Sequence, residues 1–404
     1  MGLNMRNSEV ELEEEIDEKP EVNISPKEIA NVVVHTTDWT IETIISQIKK
    51  DNIKINVRFQ RRDAWTIDEK SRLIESIFLG LPIPPIVLAE AKDSKGKFLV
   101  IDGKQRLLTL IQFCGYGVGK NNSFKLRNLD VLFDLNNKSI KDFENDIGLM
   151  DNLNQFFNYP IRSYIIRNWP NNDFLHMIFV RFNTGTKPLS PQELRQALIP
   201  GRFVDYIEDA ANKSKSMKIL FKSNEPDFRM RDVELLLRYL GFSFFISEYS
   251  GNLKKFLDDT CERLNTEWPY KELQIKRQAE LFEKSISASI EIFGEDGVGR
   301  IWKNDKFMPR LNQAVLDILT FYFSDDKIRE RAVERKSEVK ASFQELCNDT
   351  KFLGSIEKTT KSLSAVNSRF SLWGMKLDDV LDLDFEVPTL VGKRIKFADF
   401  WLDN

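Results

Sequence analysis

The stretch Val100 to Leu110, VIDGKQRLLTL, constrains the fold more than any other part of the chain. An apolar, strand-like run, Phe98-Leu99-Val100-Ile101, breaks at Asp102-Gly103. Leu107, Leu110, Ile111 and Cys114 then follow at helical spacing. The stretch reads as strand, turn and helix, with residues 104–114 helical and Asp102 as an ordinary N-cap. Lys104 and Arg106 fall in the first helical turn, where the positive end of the dipole disfavours cations. A phosphate at the helix N-terminus makes both favourable, and Gly103 lets the backbone approach it closely. Asp102 would then cap the helix, bind Mg²⁺ or orient a water. The plainer alternative is a surface turn whose long cations point into water.

A chain of 404 residues is long enough for two or three domains and a sizeable core. Its net charge of −3 conceals an asymmetry: residues 1–20 hold seven acids against Arg6 and Lys19, leaving the remainder about +2. That balance is too weak for a basic nucleic-acid coat, so any such contact requires local patches. Residues 1–30 read as a disordered acidic tail. Cys114, Cys261 and Cys347 lie far apart without paired spacing, which points to neither a disulfide framework nor a zinc site. The N-terminus lacks the apolar core of a signal peptide, and no apolar run approaches membrane-spanning length. A cytoplasmic protein is expected.

Along the chain, Ile41, Ile44, Ile45 and Ile48 make one helical face capped by Thr40, and a short strand, IKINV, follows. Thr66 and Glu69 form a capping box for a helix that buries Leu73, Ile74, Ile77 and Phe78 and ends at Gly80. IVLAEA and KFLVI are strands joined through Asp93-Ser94-Lys95-Gly96. Residues 115–158 read as loop with short elements. YPIRSYII is a strand, and NDFLHMIFVRFNTG a helix with Leu175, Ile178, Phe179 and Phe182 inward. Ser190, Pro191 and Glu193 open the next helix with a second capping box. Beyond residue 200 the periodic segments are helical: 203–213, 232–247, 252–264, 270–293, 309–323 and 327–348. The expected organisation is an acidic tail over 1–30, an α+β domain over 31–200 and a helical domain over 201–404.

Two further stretches bear on phosphate chemistry. VRFQRRDAW places Arg58, Arg61 and Arg62 beside Gln60 and Trp65. Arginine forks suit phosphate oxygens and an aromatic ring suits a base, although a solvated charge run beside a core tryptophan explains the same residues. RFNTGTKPLSPQEL sets Arg181, Asn183, Thr184, Gly185 and Lys187 in a polar turn between helices. A simple helix connection with Gly185 left-handed is its structural alternative. No GxxxxGK[ST] loop is present. His35 and His176, the only histidines, read as packing residues and cannot supply a histidine-based metal nuclease.

Taken in order, RFQRRDAW…KSRLIESIFLGLPIPPIVL, VIDGKQRLLTL, FVRFNTGTKPLSPQELRQA and FRMRDVELLLRYLGF resemble one family. It is the N-terminal domain family of GmrSD-type modification-dependent restriction enzymes. That family carries an Asp-Gly-Gln-Gln-Arg signature within a ParB/sulfiredoxin-like fold. The resemblance spans about 37–260, and extends more loosely to Ser368-Arg369-Phe370.

The resemblance implies a nucleoside-triphosphate site, with base unspecified and Mg²⁺ assisting, coupled to DNA handling in anti-phage defence. It implies catalytic roles for Asp102 and Gln105, with Asp102 also the metal ligand. Nucleotide contacts would come from Arg61, Arg62, Gly103, Lys104, Arg106, Asn183, Thr184 and Gly185. Lys104 departs from the usual glutamine. Many relatives carry a fused histidine-dependent nuclease, and the absence of histidine after His176 suggests a stand-alone member acting with DNA or a protein partner such as a nuclease. The preferred expectation is an NTP-hydrolysing protein that senses or regulates action on DNA. Two alternatives stay open: a nucleotide-switched DNA- or protein-binding module without turnover, and a DNA nickase using carboxylates such as Asp102 and Glu75.

Overall fold

The computed structural model describes residues 25–55, 65–92, 94–116, 123–182 and 190–397. The chain divides between Leu198 and Ile199 into two compact units. The first contains α1 (Pro26–Ile29), β1 (Val33–Thr40), α2 (Ile41–Lys49), β2 (Ile53–Lys54), α3 (Ile67–Phe78), β3 (Ile86–Glu90), β4 (Phe98–Asp102) and α4 (Lys104–Phe113). It continues through α5 (Ile140–Asn145), α6 (Met150–Asn158), β5 (Pro160–Arg167), α7 (Asn172–Phe182) and α8 (Pro191–Leu198).

The five strands form one mixed sheet in the order β1-β5-β3-β4-β2. Strands β1 and β5 pair antiparallel from Val33↔Arg167 to Thr40↔Pro160. Strand β3 runs parallel to β5 and antiparallel to β4. Both sheet faces are covered, which explains the unbroken apolar run of β4. Phe98 and Val100 join Ile86, Leu88 and Ile165 in a core closed by helices α2 to α6. Leu99 and Ile101 point the other way, with Val87, Ala89 and Ile166, onto Phe174, Leu175 and Phe179 of α7 and Leu194 of α8.

Several local signals act as the sequence suggests. Thr40 caps α2 through the Thr43 N–H. Thr66 and Glu69 complete the α3 capping box at 2.7 and 3.3 Å. Other readings require correction. Val33–Thr40 forms an exposed edge strand, which its pattern does not announce, and His35 on it is exposed rather than packed. The strand expected at IKINV is limited to Ile53–Lys54 in the described chain. The polar region after Gly115 supplies core: Phe143 and Phe156 are fully buried and pack against Phe78 at ring separations of 5.1 and 5.8 Å. Phe182, expected inward, is 48% exposed at the end of α7.

The second unit is mainly helical: α9 (Arg202–Lys213), α10 (Lys215–Leu220), α11 (Arg231–Phe245), α12 (Leu253–Phe293), α13 (Gln313–Phe323), α14 (Asp326–Glu334), α15 (Lys336–Leu346), α16 (Thr350–Glu357) and α17 (Leu363–Leu381). Two small hairpins, β6/β7 (Trp302–Lys303 with Lys306–Phe307) and β8/β9 (Thr389–Val391 with Arg394–Lys396), accompany them. The two helices expected over 252–264 and 270–293 are one. Pro269 lies inside α12, and burial of Leu264, Trp268 and Ile275 on either side offsets the roughly 3 kcal/mol cost of an interior proline. The helix expected over 327–348 is instead two, interrupted at Arg335, whose guanidinium donates to the Val380 carbonyl.

The centre of this unit contains a buried charge triad. Both oxygens of Asp317 accept from Arg238, at 2.9 and 2.6 Å, and Oδ2 also accepts from Arg369 at 2.8 Å. All three side chains are at most 1% exposed. The three cysteines are buried, and burial pushes the Cys114 thiol pKa up to about 12.

Candidate functional site at the β4–α4 junction

The apolar run ends where β4 ends, at Asp102, and α4 begins at Lys104. Gly103 makes the turn in the left-handed region, at φ 93. Neighbouring β3 fixes its identity, because a Cβ there would stand 2.6 Å from Ile86 Cγ2. The Leu107 N–H donates to the Gly103 carbonyl at 2.9 Å and starts the helical ladder.

The expected role of Asp102 is corrected here. Gly103, not Asp102, is the N-cap residue, and no side chain caps the first turn of α4. The left-handed turn directs the preceding carboxylate elsewhere. Asp102 Oδ2 accepts from Arg106 Nη2 at 2.8 Å, and the same nitrogen donates to the Pro85 carbonyl at 3.0 Å. Arg106 is 8% exposed, so it ties the first turn of α4 to the β3 and β4 ends.

Lys104 also departs from the surface-turn alternative, in which its side chain points into water. Its Nζ lies 3.3 Å from Glu193 Oε1, across 89 residues of sequence. Glu193 Oε2 accepts the Ser190 N–H at 2.8 Å, while the Glu193 N–H donates to Ser190 Oγ at 3.1 Å. One carboxylate thus caps α8 and holds Lys104. The apolar side chains of α4 belong to one face of the sheet and Leu194 of α8 to the other, so this ion pair links the two layers past the end of β4.

Sequence reasoning identified the Glu193 cap but missed its partner. It also missed that α8 buries Gln192, Arg195 and Gln196, which are 0%, 4% and 3% exposed. The available signal was a helix with few apolar positions placed next to a sheet. Gln192 Oε1 accepts from Arg195 Nη1 at 2.5 Å. Three buried atoms near these helix ends have no hydrogen-bond partner among the described residues: Gln105 Oε1, Arg106 Nε and Gln192 Nε2. Such atoms are where a ligand or ordered water completes a polar site.

The remaining expected residues separate clearly. Arg61, Arg62, Asn183, Thr184 and Gly185 lie outside the described residues, so their convergence with Arg106 is neither seen nor contradicted. Trp65 is half-buried against the core, as the plainer alternative anticipated. Glu75 is not a partner of Asp102. Its carboxylate accepts the N–H groups of Asp130, Val131 and Leu132 at 3.0, 2.8 and 2.8 Å. Burial raises the Glu75 carboxyl, but the bonds from Leu132, Asp130 and Val131 outweigh it and hold its pKa below the ordinary value. Among the described residues, no group of three or more His, Cys, Asp or Glu side chains gathers as a metal site.

Together, the covered mixed sheet and the left-handed glycine turn between β4 and α4 define an α+β domain with a strand–turn–helix junction at Asp102-Gly103. Residues 41–200 match the family model described as GmrSD restriction endonuclease, N-terminal domain. The match over these residues suggests a restriction- or defence-type role. No curated protein and no solved structure matches the chain. Among the described residues, no helix is long and apolar enough to cross a membrane.

Proposed function

We propose that the first unit binds a nucleoside triphosphate at the β4–α4 junction and, with Mg²⁺, hydrolyses it to regulate action on DNA in a restriction-type system. The observation that carries this reading is the uncapped start of α4, where the buried donor Arg106 Nε has no partner among the described residues. Free N–H groups at a helix N-terminus favour anions, and the left-handed Gly103 permits close backbone approach. Lys104 and Arg106 supply charge, and Gln105 a neutral polar contact.

The donor set fits phosphate. For Mg²⁺ it offers Asp102, with one oxygen committed to Arg106. A single carboxylate suits a metal that takes most of its ligands from phosphates and water. Magnesium would supply charge neutralisation at the phosphates, with Asp102 as its protein ligand. Arg61, Arg62, Asn183, Thr184 and Gly185 complete the proposed binding set through the family resemblance.

A second reading, nucleotide-switched binding of DNA or a protein partner without turnover, gains support from the Lys104–Glu193 pair. Exchange of that partner would alter the contact between α4 and α8. Commitment of Glu75 to backbone leaves the nickase alternative without its second carboxylate. Phosphate release from each of the four NTPs, with and without Mg²⁺ and DNA, separates these readings. Mg²⁺-dependent release supports hydrolysis, binding without release supports the switch, and absence of both rejects the nucleotide site.

A further inference from the structure

Each cation in the first turn of α4 already holds a carboxylate. Lys104 pairs with Glu193 at 3.3 Å, the side chains being 12% and 7% exposed, and Arg106 pairs with Asp102 at 2.8 Å. An arriving anion must therefore displace a resident acid or bind beside it. A nucleic-acid phosphodiester brings one negative charge per phosphate, the same as the carboxylate it would replace. That exchange gains no charge and leaves a buried acid unpaired. A polyphosphate carries several charges on one short chain. Lys104 and Arg106 are two positions apart and leave α4 on different sides, so an extended anion reaches both across the helix end.

We propose that Glu193 is a specificity-determining residue: by neutralising Lys104, it makes the junction select polyphosphates over orthophosphate and nucleic-acid phosphodiesters. This inference rests on the nucleotide reading of the junction and adds a discriminating element to it. Glu193 suits the role because the Ser190 N–H anchors its second oxygen. The carboxylate stays beside the site and holds Lys104, so a compact anion that reaches only one cation gains little, whereas an extended anion gains from Lys104 and Arg106 together.

Glu193→Gln removes the charge while retaining the reciprocal cap, since glutamine serves at that capping-box position as glutamate does. The full chain and this variant are titrated calorimetrically with sodium tripolyphosphate, orthophosphate and a short DNA duplex, with thermal melts of each mixture. Wild type should favour tripolyphosphate, and Glu193→Gln should reduce its preference over orthophosphate by about 5-fold or more. An unchanged preference overturns the inference but leaves the nucleotide reading standing. If wild type takes up no tripolyphosphate, the nucleotide reading fails and takes this inference with it. Should the single variant melt too early, Lys104→Gln with Glu193→Gln avoids a lone buried charge. That pair removes one attachment point for an extended anion, so its tripolyphosphate preference should also fall; retention of the wild-type preference overturns the inference.

Discussion

Arg106 Nη2 lies between Asp102 Oδ2, at 2.8 Å, and the Pro85 carbonyl, at 3.0 Å. A side chain that opposes the helix dipole on sequence grounds therefore has a structural task. Removing it with Arg106→Ala leaves a partly buried carboxylate and a carbonyl without their donor, a loss of about 1–3 kcal/mol. The expectation from dipole alone, an intact or slightly stabilised fold, reverses sign. Urea unfolding measures the change, and a midpoint equal to or above wild type would show that the lacing contributes nothing. Nucleotide titration of the same variant addresses its proposed phosphate role separately.

Gly103 faces two constraints, its φ of 93 and the 2.6 Å approach of Ile86 Cγ2 to any added Cβ. Gly103→Ala should destabilise by about 1–3 kcal/mol through the strained backbone, with the Ile86 clash adding to it. Ile86→Ala removes the clashing methyl while opening a cavity of its own. The double variant should consequently lose less stability than the two single losses combined. Strict additivity in denaturant melts would assign the whole effect to the backbone.

The junction is legible in sequence because the apolar run changes period within two residues and a glycine marks the change. Lys104–Glu193 is not legible, since 89 residues separate its members and only the fold brings α8 beside α4. Asp102 was misread for a related reason: cap preference concerns residue type, whereas Gly103 φ decides which residue occupies the cap. Phe143 and Phe156 were hidden in a polar stretch, although each fills a gap in the aromatic core. Pro269 suggested a helix break that packing on both sides overrides.

Asp317 is the only carboxylate in its buried triad with Arg238 and Arg369. Asp317→Asn leaves two guanidinium groups without their counter-charge in the core of the second unit. Loss of one partner from a buried ion pair costs about 3–5 kcal/mol. The variant should unfold at markedly lower urea or express insolubly. Limited proteolysis then identifies the affected unit: fragments should come from the chain after Ile199, and preferential cleavage before Leu198 would contradict the assignment.

Glu75 provides the pH dependence. Its folded pKa lies below the ordinary value because three backbone N–H bonds outweigh the effect of burial. Protons therefore bind more weakly to this group in the folded protein than in the unfolded chain. Its contribution to stability is present above the unfolded value, about 4.3 for glutamate, and is lost as pH falls through the lower folded value. Glu75→Gln retains one acceptor oxygen but loses the charge that strengthens these bonds. It should lower stability near neutrality and flatten the acid limb of the stability–pH curve. Urea midpoints for both proteins between neutral pH and the onset of acid unfolding measure this difference. Parallel curves would mean that the carboxylate does not titrate with folding, and that the segment 130–132 is held by other contacts.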